Sequence, residues 1–227
     1  MISLTRSQFE EELEKLRNRL LAMGSEADRA VSDAMQALEE RDVALAERVI
    51  DGDDSIDEMD LKIETECMRL IALQHPLARD LRLVGTALKI ITDLERIGDH
   101  AVDIAKVARK LSHHSGHRTL ADLPRMATAV RKMLKNALDA FVRHDLDLVM
   151  TVVNADDEVD DLFHLIRDDL HAAMQNDPEV VVEASYLLFV AHYLERIADH
   201  AVNIAERVHY VETAQLSQLA KSHRTGS

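Results

Sequence analysis

Apolar residues recur at helical spacing along nearly the whole chain, and the breaks between periodic stretches are short. The pattern predicts six helices, over 5–40, 42–74, 77–111, 120–143, 145–175 and 178–212. Thr5 or Ser7 opens the first, ahead of a glutamate-rich stretch. Arg41-Asp42 marks the next break. His75-Pro76 ends the second helix, because the residue before a proline avoids the helical region. Pro178 suits a first turn, where no amide donor is needed. Ser112 to Arg118 is the clear linker, and the chain beyond Thr213 reads as a flexible polar tail.

The pattern also repeats. The segment from Asp93 to Ala105 (Asp-Leu-Glu-Arg-Ile-Gly-Asp-His-Ala-Val-Asp-Ile-Ala) returns as Tyr193 to Ala205, ten of 13 positions being identical at an offset of 100. Upstream, Val49, Asp53, Asp54 and Asp57 reappear as Val152, Asp156, Asp157 and Asp160 at an offset of 103. The chain is therefore two similar halves of three helices each. Short connections make neighbouring helices antiparallel, so the expectation is an all-α protein of two tandem three-helix bundles related by a pseudo-twofold axis. The boundaries expected are 1–114 for the first bundle, 115–213 for the second and 214–227 for the tail.

Composition narrows this further. Nine Gly and Pro residues in 227 disfavour a fold of many short strands, and 47% hydrophobic residues can supply a sizeable core. With four Phe, three Tyr and no Trp, that core is aliphatic. A net charge of −15 argues against nucleic-acid binding, which needs a basic footprint. No apolar run approaches a membrane span of about 18 residues, and no apolar signal core opens the chain. The lone Cys67 fits a reducing compartment. A cytoplasmic protein without membrane insertion is expected.

Candidate chemistry lies in the acids. At about 100° per residue, with Ile91 as zero, Val84, Leu88, Leu94, Gly98 and Val102 lie within about 60° and form the core-facing stripe of the third helix. Glu95 falls at about 40°, inside that sector, with Asp99 and Asp103 at about 80° and 120° on its shoulder. Arg82, Lys89, Arg96 and His100 lie at about 140° to 180° and are expected to face solvent. Glu195, Asp199 and Asn203 repeat the arrangement around Leu188, Ala191, Leu194 and Val202. On the second helix Asp53, Asp57 and Asp60 flank the stripe Val49, Ile56, Ile63 and Leu70; Asp156 and Asp160 flank Val152, Val159 and Ile166. Asp60 is answered by Phe163 and so stands outside the shared set.

Carboxylates four residues apart repel, and near a core each needs a partner or stays protonated. Three readings are open: a solvated acidic face, ion pairs with basic residues, or a cation held by oxygen ligands from facing helices. Arg96 and Arg196 point about 100° away from the preceding glutamates and are poor intrahelix partners on that count. Oxygen-only ligation suits hard cations such as magnesium, manganese, calcium or iron. The Glu-x-x-His element of di-iron bundles is missing, since residue 98 is Gly and residue 198 is Ala. His192, one turn before Glu195, could add a nitrogen ligand in the second half only; its counterpart is Thr92. His100 and His200 read as solvent or interface residues, and the basic residues around the linker as complements to a helix C-terminus. With no Gly-rich phosphate loop, nucleophile elbow or Cys/His pair, an enzyme would have to use the carboxylates, as an oxidase or phosphohydrolase does.

The Leu-Glu-Arg-Ile-Gly/Ala-Asp-His-Ala signature, present twice, and Pro76 to Val84 (Pro-Leu-Ala-Arg-Asp-Leu-Arg-Leu-Val) resemble the PhoU family of bacterial phosphate uptake. The resemblance covers about residues 4–212. It implies two pseudo-symmetric three-helix bundles, dimerisation, and divalent or trivalent metal ions (iron, manganese, magnesium, calcium or zinc) on Glu/Asp-x-x-x-Asp motifs. On this chain the motifs are Asp53/Asp57, Glu95/Asp99, Asp156/Asp160 and Glu195/Asp199, with Asp103 and Asn203 one turn on. It further implies a non-enzymatic negative regulator of phosphate-starvation signalling, bridging the ATPase subunit of a phosphate transporter and a sensor histidine kinase.

Overall fold

The computed structural model describes residues 6–113 and 122–219. Among them every regular element is helical: α1 (Arg6–Glu40), α2 (Val43–Asp51), α3 (Asp53–Gln74), α4 (Ala78–Leu111), α5 (Asp122–Arg143), α6 (Leu146–Asn176) and α7 (Val181–Thr213), the last entered through a 3-10 turn at Pro178–Val180. The six expected helices are present, with one difference. The second is interrupted at Gly52, giving α2 and α3. Its counterpart in the second half is Ala155, and there α6 runs unbroken. Glycine is about 1 kcal/mol worse than alanine in a helix interior, enough to place the break where it falls.

The two halves use the same punctuation. Arg41 and His144, 103 residues apart, both take left-handed backbone (φ 56° and 57°) to close the preceding helix. The next residue then caps the following one: Asp42 accepts the Leu45 amide at 2.9 Å, and Asp145 accepts those of Asp147 and Leu148. His75, also left-handed, ends α3 ahead of Pro76. The linker from residue 114, the start of the fourth expected helix at 120–121, residues 1–5 and the tail from 220 lie outside the described residues. Residues 214–219 are non-helical and turn back on α7, with the Leu219 amide donating to Glu206 Oε1 at 2.5 Å and its side chain against the core.

The helices form a row, α3–α4–α7–α6, backed by α1 and α5. α1 packs on α3 and α4, α5 on α6 and α7, and α1 meets α5 where the halves join. There the bidentate pair of Arg131 with Asp28 (2.8 and 2.9 Å) ties them together. α4 and α7 run antiparallel down the middle, and the alanines of the repeated segment, Ala101, Ala105, Ala201 and Ala205, are fully buried. These alanines share one aliphatic core with Leu16, Leu20, Ile90, Leu94, Ile97 and Ile104. This central position changes one expectation. Lys89 and Arg96 are exposed, but Arg82 donates twice to the Val211 carbonyl (3.1 and 3.0 Å), and His100 turns into the α4–α7 seam.

Candidate metal centres

Each half brings one acidic stretch of the row against another. In the first, α3 supplies Asp53 and Asp57, and α4 supplies Glu95 and Asp99. Gly98 makes the approach possible: a Cβ there would stand 2.9 Å from Ile56 Cδ1 and 3.9 Å from Asp53 Oδ1. The Asp53 carboxylate thus lies over the α4 backbone one residue from Asp99. Burial raises Asp53 above the usual carboxylate range, with Asp57 and Asp99 adding to the effect and Lys106 opposing it. Glu95 is raised in the same way, by burial and then Asp99, against Arg96. Asp60 belongs to this group as well. Its carboxyl is raised by burial, then by Glu64 and Asp57, and Glu95 feels its charge. Its lack of an acidic counterpart hid it, although its position on the same shoulder as Asp53 was the available signal.

In the second half α6 supplies Asp156 and Asp160, and α7 supplies Glu195 and Asp199. Asp156 is pushed up to about 7 by burial, then by Asp160, Asp199, Asp157 and Glu195. Glu195 is raised by burial and Asp199, offset by His192 and Arg196. His192 Nδ1 stands 3.2 Å from Glu195 Oε2 without hydrogen-bond alignment, so this buried oxygen has no hydrogen-bond partner. Phe163, in the place of Asp60, sets its ring 6.4 Å from that of His192.

The arginines do take part in pairing. Arg96 donates to Asp99 at 2.9 Å and reaches Glu95 at 3.4 Å, and Arg196 donates to Asp199 at 2.7 Å. A separation of about 100° on the wheel therefore does not keep Arg96 from the preceding glutamate, because the long side chain bends back to it, and the aspartate three residues on is within reach of both arginines. Carboxylates still outnumber bases at each cluster: Arg96 and Lys106 stand against Asp53, Asp57, Asp60, Glu95 and Asp99, and Arg196 and His192 against Asp156, Asp160, Glu195 and Asp199.

Asp103 and Asn203, one turn on, have partners of their own. Asp103 pairs with Lys106 at 3.0 Å and acts on His100 and Tyr193. Asn203 donates to Asp93 at 3.3 Å across the α4–α7 seam. The seam is a polar network about the pseudo-twofold axis. His200 Nδ1 meets Asp93 at 2.9 Å, the rings of His100 and His200 are 5.8 Å apart, and Tyr193 stacks on His100. Burial, then the charge of His200, pushes His100 down to about 4. The basic residues near the linker act separately: Arg109 on Glu47, Arg125 on Glu158, Lys110 over the Tyr186 ring.

The donor chemistry of both clusters suits a hard cation. Carboxyl groups gathered from two helices, raised by burial and then by mutual repulsion, and one buried oxygen without a hydrogen-bond partner are what such an ion would satisfy. Among the described residues, no three His, Cys, Asp or Glu side chains converge, in their present rotamers, tightly enough to enclose one ion.

A duplicated helical bundle with a half-buried carboxylate cluster in each half is the class these features define. The family model described as the PhoU domain matches twice, over residues 20–108 and 123–208. The chain belongs to the PhoU family. It is 43% identical over 213 residues to the phosphate-specific transport system accessory protein PhoU homolog of Clostridium acetobutylicum, covering 93% of this chain and 97% of that protein. It is 36% identical to the phosphate-specific transport system accessory protein PhoU of Escherichia coli K12, covering 92% and 86% respectively. The crystal structure of PhoU from Pseudomonas aeruginosa superposes with a TM-score of 0.88 at 38% identity, over 91% of this chain and 100% of that one.

Proposed function

We propose that this chain is a non-enzymatic accessory protein of phosphate transport that holds the phosphate-starvation response off while phosphate is plentiful. It acts in the cytoplasm, as a homodimer, by bridging the ATPase subunit of a phosphate transporter and a sensor histidine kinase. The observation that carries the reading is the family membership along both halves, together with relatives named as phosphate-transport accessory proteins. Among the described residues no helix is long and apolar enough to cross a membrane, which suits a protein that works on membrane partners from outside the bilayer.

Metal has a structural part in this proposal. A cation at each cluster supplies positive charge that cancels carboxylate repulsion and ties neighbouring helices together. Asp53, Asp57, Glu95 and Asp99 would hold it in the first half, Asp156, Asp160, Glu195 and Asp199 in the second. Their side chains must rotate inward to do so, because the present rotamers do not close on one ion. The helices α3 with α4, and α6 with α7, would then present one fixed face to partners.

Two experiments test these statements separately. Deletion of the gene is expected to switch on a phosphate-starvation reporter in phosphate-rich medium, and an unchanged reporter would overturn the regulatory reading. Elemental analysis of purified protein is expected to find metal that the Glu95→Ala/Glu195→Ala variant loses. Equal metal in both proteins would remove the site assignment. Turnover of a phosphate ester or dioxygen, abolished by Asp99→Ala, would instead establish an enzyme.

A further inference from the structure

The duplication provides an internal control for many surface positions, and along the outer face of α3 the two halves disagree. Leu61 and Met68 of α3 are 62% and 58% exposed. On a helical wheel they lie about 180° from the buried Ile63 and Leu70, so they form an outward ridge with Thr65 and Ala72, both exposed. The same ridge on α6 reads His164, Asp168, His171 and Gln175, all exposed and all polar. The fold therefore does not require apolar residues here. A single exposed leucine needs no explanation, but two in register, opposite a polar counterpart with the same exposure, do. The contrast continues at the corner beyond α3, where Leu77 is 79% exposed and its counterpart is Asp177.

The charge beside the ridge says what can cover it. Between residues 54 and 72 six acids stand against Lys62 and Arg69, and both bases are already tied to glutamates, Lys62 to Glu58 at 2.8 Å and Arg69 to Glu12 of α1. A second copy of this chain laid along the ridge would set these acids against their own likeness, whereas lysine or arginine would complement them. We propose that the outward ridge of α3, centred on Leu61 and Met68, docks an amphipathic helical segment of a partner protein. That segment carries apolar side chains two turns apart and basic residues on its flanks. The surface rests on the adaptor reading for its biological role and gives that reading a partner chemistry.

The test uses the full chain and a fluorescein-labelled peptide of leucine and lysine, about five turns long, with leucines at helical spacing. Leu61→His/Met68→His installs the residues that the second half already carries there, so the fold is retained. Wild-type protein is expected to bind the peptide, more weakly as salt rises. The double variant should bind about tenfold more weakly, because two apolar side chains no longer become buried. Thr65→Arg, which places a like charge in the ridge, should weaken binding as well, and His164→Leu/His171→Met should raise the stoichiometry to two peptides. Equal affinity in wild type and both ridge variants, or no binding by wild type, overturns the proposal. So does a wild-type dimer in sedimentation velocity that the double variant loses, since that assigns the ridge to a second copy. The gene-deletion experiment is unaffected by these outcomes, so the ridge can fail while the adaptor reading stands.

Discussion

Asp156→Asn turns the electrostatics of the second cluster into a measurable stability. The Asp156 carboxyl is pushed up to about 7 from an ordinary 3.8. The folded state therefore holds this proton more tightly than the unfolded chain does. Below the ordinary value both states are protonated and folding carries no penalty. As pH rises toward about 7 the unfolded chain ionises first, so stability falls, and the penalty is complete above that value. The gap corresponds to about 4 kcal/mol at most, and water at the rim of a half-buried cluster reduces it to about 2 kcal/mol. Asn keeps the shape and removes the charge. The variant is expected to be about 2 kcal/mol more stable than wild type at pH 8 without metal, and little different at pH 4. Urea unfolding in the presence of a chelator at both pH values reads this directly. A difference that is the same at the two pH values, or a loss of stability at pH 8, would refute the reasoning. Adding a divalent cation at pH 8 should then stabilise wild type and leave the variant nearly unchanged.

Other consequences follow from particular contacts. Gly98→Ala gains about 1 kcal/mol of helix propensity, while pushing the Ile56 Cδ1 end aside should cost about as much, so the net change in stability is expected near zero. Adding Ile56→Val, which recreates the Ala198/Val159 pair of the second half, should relieve the clash, so a double-mutant cycle is expected to show favourable coupling of the two changes. Arg19 is the ion-pair partner of Glu66, which is only 6% exposed, so Arg19→Ala leaves a buried carboxylate unpaired and should cost about 2 kcal/mol in chemical denaturation. Cys67 is fully buried and its thiol pushed up to about 12, chiefly by burial; iodoacetamide at pH 8 should modify it only after unfolding.

Much of the architecture was legible in the linear pattern. Helical periodicity located six helical segments, the offsets of 100 and 103 exposed the duplication, and the wheel put Glu95 and Glu195 inside the apolar sector, where burial raises both. These are local or periodic properties: a side chain's direction on a helix follows from its number alone. The aspartates within reach of Arg96 and Arg196 were legible too, since each lies three residues on along the same helix.

What periodicity does not contain is which neighbour a helix face meets. The wheel of α4 has one dominant apolar stripe, yet the helix lies at the centre of a row and packs on both flanks. Its polar side therefore becomes the seam with α7, where His100 and His200 face each other and Asp93 reaches Asn203. That seam engages Asn203, and it exists only because two helices about 100 residues apart in sequence run antiparallel in contact. The chain alone determined the helices, their repetition and the shoulder on which each acid sits. Tertiary packing decided the partners, since burial of a shoulder depends on the helix laid against it, and no single helix encodes that.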